Sequence, residues 1–302
     1  WNLFVIPGLM VVTAVSIVLF MDWLAGAAPP DHWGLLDTVR NGGVNERWQA
    51  AMELSRRLGG STRDELVEEL QPLPARHAGA AGDPVGRFGE EVHDLLRAAD
   101  ARDGDFQAFL VATLGFLRAK ESVGTLLEFL HEPPGLNDEQ KGLCRIQAVR
   151  ALGLIGDPAA APALLPLVDG RDTALGLMAL AAAGGLRTSE GGLVPEAEAV
   201  LRRALTAASV ERRFTAALNL AEVQDPEVRP VLLQMLDRAS FVRDDGSPFH
   251  QDQIADSLVR AIQLLALYGP DEGELLAIRA LGRTDPNGRV RRAAQDALGS
   301  GP

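Results

Sequence analysis

Apolar positions recur at helical spacing along most of the chain, and one segment shows the unit most clearly. Ala148, Leu152 and Ile155 fall on one face of a helix that opens near Arg145. Gly156 ends that helix, and Asp157 and Pro158 open a second one as N-cap and first-turn proline. Leu164, Leu165 and Val168 then form the apolar face of the second helix. The pattern predicts a helical hairpin with a tight turn. It recurs at Arg213, Ala216 and Leu220, followed by Asp225 and Pro226 and then by Val228, Val231, Leu232 and Leu236. Ala148 to Asp157 and Ala216 to Asp225 are both nine residues, so residue type and offset match together. Arg47, Ala50 and Leu54 open in the same way, as do Arg291, Ala294 and Leu298.

The repeat length supports stacking. Ala148 and Ala216 are 68 residues apart, two units of 34, with a less regular unit at 173–205 between them. Ala261 to Ala294 is 33, whereas Ala216 to Ala261 is 45, which places an insertion of about eleven residues there. A lone hairpin cannot bury its apolar face, but stacked hairpins share a continuous core. We therefore expect an all-α chain with an α-solenoid of stacked helical hairpins over 44–302. Within it, residues 75–87 read as a loop.

These residues resemble the HEAT family, and in particular the short bacterial repeats also found in phycobilin-lyase-like proteins. The shared signature is Arg-x-x-Ala-(Ala/Val)-x-x-Leu-Gly, then Gly-Asp-Pro and an apolar second helix. It is closest at 145–168, 209–237 and 289–299, looser at 45–70 and 254–282, and loosest at 75–130. The resemblance implies a HEAT-like fold used for binding and scaffolding. It also brings in a chromophore-lyase-like enzyme or helper as an alternative.

The N-terminal pattern is different. Leu3 to Phe20 carries no charge, and its eighteen residues would reach roughly 27 Å as a helix. Trp1 and Trp23 bracket the run as an aromatic belt would, with Leu3, Phe4 and Phe20 among the apolar residues inside it. We expect a transmembrane helix over 1–24 and a linker over 25–43, where Pro29 and Pro30 interrupt helical continuation. The rival reading is a cleaved signal peptide, with Ala25, Gly26 and Ala27 as the small-residue site. A start on Trp rather than Met leads us to expect an upstream segment. The flank after the helix is poor in Lys and Arg up to Arg40, which places the solenoid outside the cytoplasm.

Composition narrows the functional classes. Aromatic residues are 5% of the chain while Ala and Leu dominate the apolar set, which favours helix over strand. The net charge of −12 argues against a nucleic-acid partner, since phosphate backbones select for Lys and Arg. The one cysteine, Cys144, lies on a helix beside Leu143, Ile146 and Val149 and reads as a small core residue. The five histidines form no paired metal-ligand motif, and no phosphate loop, nucleophile elbow or dinucleotide fingerprint occurs. We expect no catalytic residue, no metal and no cofactor, and therefore no enzyme.

Two features remain for binding. The insertion after Asp237 holds Phe241, Arg243, Asp244, Asp245, Phe249 and His250, two of them aromatic in an aromatic-poor chain. It reads either as a partner-contact loop or as a longer connection packed by its own Phe residues. The recurrent Arg47, Arg145, Arg213 and Arg291 read as caps or bridges to carbonyls or carboxylates of the neighbouring repeat, with exposed anion recognition as the alternative. Taken together, the expectation is a single-pass membrane-anchored scaffold. It would contact other protein subunits, themselves membrane-embedded, and hold the membrane through residues 1–23. The remaining alternative is a free envelope protein whose solenoid binds a soluble ligand.

Overall fold

The computed structural model describes residues 30–71, 73–77, 83–99, 103–133 and 136–299. Among these residues the regular elements are fifteen α-helices and six short 3-10 turns, with two isolated β-bridges. The chain divides into two compact units, Trp1–Pro84 and Val85–Pro302.

In the first unit, α1 (His32–Asn41) packs on α2 (Val44–Leu58), and α3 (Arg63–Glu69) follows. Asp31 starts α1 by accepting the Gly34 N–H at 2.7 Å. Trp33, Leu36 and Val39 recur every three residues and are buried, as are Leu54, Leu58, Leu66 and Leu70. The Trp33 indole N–H donates to the Leu70 carbonyl at 2.9 Å. The linker expected over 25–43 is therefore corrected from residue 32 onward. Its prolines lie ahead of the N-cap, and the apolar face behind the cap is long enough to bury. His32 is also buried, 3.5 Å from Glu69.

The second unit opens with α4 (Pro84–Ala98), so helix begins inside the loop expected over 75–87. Five hairpins follow. They are α5 (Gly104–Phe116) with α6 (Val123–His131), α7 (Asp138–Ile155) with α8 (Ala161–Leu164) and its flanking 3-10 turns, and α9 (Thr173–Ala183) with α10 (Pro195–Ala204). Then come α11 (Val210–Ala221) with α12 (Arg229–Met235), α13 (Gln251–Tyr268) with α14 (Glu272–Thr284), and a last helix, α15 (Gly288–Gly299). The first helices of successive hairpins, α5, α7, α9, α11, α13 and α15, pack one against the next. Their shared core includes Ala148, Leu152, Ala179, Leu180, Ala216, Leu220, Ala261 and Ala294, each fully buried.

The turns follow from local chemistry. Gly156 stands in the left-handed region at φ 71°, and Gln224 holds the same place in its hairpin at φ 57°. The next residue caps the second helix in each case. Asp157 accepts the Ala159 N–H at 2.8 Å and Asp225 the Glu227 N–H at 2.9 Å; ahead of α15, Asp285 accepts the Asn287 N–H at 2.8 Å in the same way. The recurrent arginines turn to backbone carbonyls. Arg145 donates to Leu130 at 3.0 Å, Arg213 to Ala207 and Ala208 at 2.7 and 2.6 Å, and Arg291 to Asp285 and Pro286 at 2.7 and 3.1 Å. Arg47 does the same in the first unit, to Val39 at 3.1 Å. Each satisfies carbonyls left without intrahelical partners where the preceding helix ends.

The expected single-pass membrane location is corrected. Among the described residues no helix is long and apolar enough to cross a membrane. The eighteen-residue α7 carries Asp138, Glu139, Lys141, Arg145 and Arg150, and the equally long α13 carries Asp252, Asp256 and Arg260. The uncharged α9 has only eleven residues, about 16 Å against a hydrocarbon core of roughly 30 Å. The residues expected to form the anchor, Trp1, Leu3, Phe4, Phe20 and Trp23, lie outside the described residues.

Two outcomes test this packing. A Cβ at Gly153 would sit 2.6 Å from the Ala182 Cα, so Gly153→Ala should lower stability by about 1–3 kcal/mol in urea unfolding. Gly142, exposed on the same helix with nothing within 4 Å of such a Cβ, should instead gain up to about 1 kcal/mol as Gly142→Ala. Burial lowers the pKa of His32 from its ordinary 6.5, against an opposing pull from Glu69. The unfolded chain then takes up the proton first. Stability from this group is complete above pH 6.5 and falls as the pH drops toward the folded value. Melting curves between about pH 7.5 and 5.5 should show a smaller acid loss for His32→Leu than for the native chain.

Candidate functional site

The first helices of the second unit meet most closely through residues with little or no side chain. A Cβ at Gly115 would lie 2.6 Å from the Ala151 Cα, and one at Gly185 only 1.9 Å from the Gly153 carbonyl oxygen. Asn219 fills the space over Gly184, where a Cβ would come within 2.1 Å of its Oδ1. Beside this seam the Arg187 N–H donates to the Gly156 carbonyl at 3.0 Å, joining two hairpins through the backbone. The glycines bring α5, α7, α9 and α11 together at their C-terminal ends.

A groove of about 890 Å³ lies along these ends. Leu154, Met178, Ala181 and Ala182 contribute apolar surface to it, and Arg118, Lys120, Arg150 and Arg187 contribute charge. Leu154 is 38% exposed although it is a leucine within a helix of the core layer. The apolar surface continues along α7 through Ile146 and Leu143, the latter 39% exposed. Phe109 and Phe116 on α5 and Leu177 on α9 are half-buried.

The charges around the groove are not all neutralised. The Arg150 guanidinium sits 5.3 Å from the centre of the Phe116 ring. Arg187 lies 3.6 Å from Glu222, which also accepts from Arg260 at 2.7 Å. Among the described residues no carboxylate lies within ion-pair distance of Arg118, Lys120 or Arg150. Elsewhere in the unit arginines hold buried carboxylates. Arg229 makes two bonds to Glu274, at 2.7 and 2.6 Å, and these hold that carboxyl below its ordinary pKa despite burial. Arg238 grips Asp285 at 2.7 and 2.9 Å, and Arg202 meets Asp225 at 2.9 Å. A second depression of about 500 Å³ lies at the start of α15, but Arg291 and Arg289 there are committed to carbonyls and to Asp256.

The insertion folds on itself. Phe241 is 1% exposed and packs edge-on against Phe214 at 5.0 Å and Phe249 at 5.6 Å. Arg243 stacks over Phe249 at 4.8 Å and bonds to Glu211, Pro248 and Gln253 at 3.0, 2.9 and 3.2 Å. Val242 bridges Pro248, and Gly246 makes the turn at φ 81°. Of the six residues expected to meet a partner, Phe241, Arg243 and Phe249 are used internally, and only Asp244, Asp245 and His250 are exposed. Phe241 as a partner contact is thus corrected. Its ring is held between those of Phe214 and Phe249 and is closed off from solvent.

Chemistry elsewhere is sparse. The Cys144 thiol is buried, donates to the Gly104 carbonyl at 3.4 Å, and is pushed up to about 11 by burial and by Asp105. That leaves almost no thiolate near neutral pH. Among the described residues no three His, Cys, Asp or Glu side chains could hold a metal ion. His93 pairs its Nδ1 with the Ser122 hydroxyl at 3.1 Å, and His77 lies 5.4 Å from the Trp33 ring. The groove residues had a signal of their own in the sequence. Leu154, like Leu143 earlier in the helix, falls on the face of α7 opposite Ala148 and Leu152, where large apolar side chains are unexpected, with Arg150 between them on the same face. Phe241→Ala should cost about 3–5 kcal/mol in urea unfolding, whereas Asp244→Ala and Asp245→Ala should change stability by under about 0.5 kcal/mol.

Comparison with known proteins agrees with the helical repeat. The sequence profile of the PBS lyase HEAT-like repeat matches residues 145–170, the segment of α7, α8 and their turn. Among solved structures the chain matches that of the complex of CpcE and CpcF of phycocyanin lyase from Nostoc sp. PCC7120. That match has a TM-score of 0.45 and 17% identity, over 91% of this chain and 96% of that one. Human deoxyhypusine hydroxylase in complex with glycerol matches at a TM-score of 0.33 and 16% identity, over 89% of this chain and 94% of that one. No curated protein matches the chain by sequence.

Proposed function

We propose that the second unit is a non-catalytic scaffold of HEAT-like hairpins, and that the groove across α5, α7, α9 and α11 receives a segment of a partner protein. The observation that carries this reading is the apolar surface left on the first-helix layer. Leu143 and Leu154 are each more than a third exposed, with Ile146, Leu177 and Met178 half-buried around them. Each apolar side chain left in water forgoes the roughly 25 cal/mol per Å² that burial would return. Apolar surface gathered in one groove, as that of Leu154, Met178, Ala181 and Ala182 is, is a feature of interaction surfaces. A stacked-repeat scaffold supplies such a surface without rearranging its core, because each hairpin leans only on its neighbours. A catalytic reading finds less support, since the one thiol is buried and protonated and the two carboxylates at the groove, Asp157 and Glu222, are held by a backbone N–H and by arginines.

The test places a photo-crosslinking amino acid at Leu154 or Met178 of the full chain in the cells that make it. The expected result is a discrete protein adduct from either position, identified by mass spectrometry. It should be lost when Leu154→Lys is combined with the crosslinker at Met178. A crosslinker at Leu276, 68% exposed on α14 and outside the groove, should not give that adduct. Equal adducts from all three positions, or none from the groove, would overturn the reading.

A further inference from the structure

We infer that the segment received by this groove is acidic, carrying carboxylates beside apolar side chains. The inference rests on the protein-binding reading above and adds the chemistry of the partner.

The apolar strip is organised rather than scattered. Leu143, Ile146, Arg150 and Leu154 are spaced by three, four and four residues and so share one face of α7. From Leu143 to Leu154 the strip runs roughly 16 Å along the helix. Phe116, beneath the Arg150 guanidinium, extends it onto α5, and Met178, which lines the groove with Leu154, extends it onto α9. Neighbouring helix axes lie about 8–10 Å apart, so the strip spans roughly 20 Å across three helices. That is longer than a small ligand needs and suits a peptide segment.

Charge decides which segment. The chain carries −12 overall, yet the groove end of the strip gathers Arg118, Lys120, Arg150 and Arg187 from three successive hairpins. Both carboxylates at the groove are already occupied. Asp157 caps the Ala159 N–H at 2.8 Å, and Glu222 is shared by Arg187 and Arg260. A role for the cations in neutralising helix C-termini would require contact with the terminal carbonyls. Arg145, Arg213 and Arg291 make such contacts. Among the described residues the charged groups of Arg118, Lys120 and Arg150 donate to no carbonyl. They stand solvated beside an apolar surface, an arrangement complementary to carboxylates flanking apolar side chains. A basic or neutral segment would leave them facing like charge or nothing.

The test uses the full chain and three fluorescent peptides of about twelve residues, long enough for a helix of ~18 Å. All carry leucine and phenylalanine at helical spacing. The remaining positions are glutamate in the first, glutamine in the second and lysine in the third. Anisotropy titration should show saturable binding of the glutamate peptide, at least about tenfold weaker binding of the glutamine peptide, and the weakest binding of the lysine peptide. Added salt should weaken the glutamate complex. The triple variant R118E/K120E/R150E should invert the order, so that the lysine peptide binds best. The variant R279E/R283E/R292E, with the same change in net charge outside the groove, should keep the native order. Circular dichroism checks that both variants fold, and R150Q supplies a milder step in the same direction. Equal binding of the glutamate and glutamine peptides, an order unchanged in the groove variant, or no saturable binding by any peptide overturns the inference. If groove crosslinks to a protein still form in that case, the scaffold reading stands and only the acidic partner falls. If the crosslinks fail, the scaffold reading falls by its own test.

Discussion

The second unit depends on backbones meeting where side chains are missing. Gly153 and Gly185 stand where a Cβ would strike carbonyl or Cα atoms of the next hairpin, and Gly115 faces Ala151 in the same way. The close approach lets the Arg187 N–H reach the Gly156 carbonyl and tie one hairpin to the next. A larger residue at any of these positions would force the helices apart, and the loss would spread through the well-packed layer of Ala148, Leu152, Ala179 and Ala216.

Around that layer, each hairpin is finished by polar chemistry that leaves few groups unpaired. Aspartates at 157 and 225 start second helices, and Asp285 leads into α15, by accepting the N–H two residues on, and arginines at 145, 213 and 291 cover carbonyls at or just past the preceding helix ends. Two of the aspartates also hold an arginine from elsewhere in the stack, Arg202 on Asp225 and Arg238 on Asp285. The carboxylate that sets the turn is therefore the same one that joins neighbouring hairpins. Its burial is tolerable because both its oxygens are engaged.

Against this economy the groove stands out. It brings an exposed leucine and Met178 together with Arg118, Lys120 and Arg150, cations that no carboxylate of the described residues neutralises. The insertion after Asp237 shows the contrast. Its break in the repeat and its two phenylalanines suited either a partner contact or a connection packed by its own rings, and those rings stack on Phe214 and on each other. An aromatic in an irregular segment serves whichever neighbour comes near it, and here the neighbour is its own repeat.

The helical hairpins were legible before any coordinates, because a helix face is a local property. Ala148, Leu152 and Asp157, with their counterparts at 216, 220 and 225, state the face and the turn within about ten residues. The arginines at offset positions were equally legible, since a carbonyl at the end of the preceding helix lies within reach of any repeat that stacks. Helix α1 was missed because Pro29 and Pro30 dominated the reading, although Trp33, Leu36 and Val39 carried a helical period behind the Asp31 cap. Gly184 and Gly185 close α9 and are also contact points that the sequence did not mark, because a glycine shows only what it lacks and not what approaches it. The groove as an assembly could not be read, although Leu154 on the outer face of α7 carried a local signal. Arg118, Arg150 and Arg187 are 69 residues apart from first to last, and nothing local marks them as neighbours. Only the spacing imposed by the glycine seams brings their three hairpins to one edge. Local periodicity decides which faces are buried, and the contact between backbones decides which exposed residues meet.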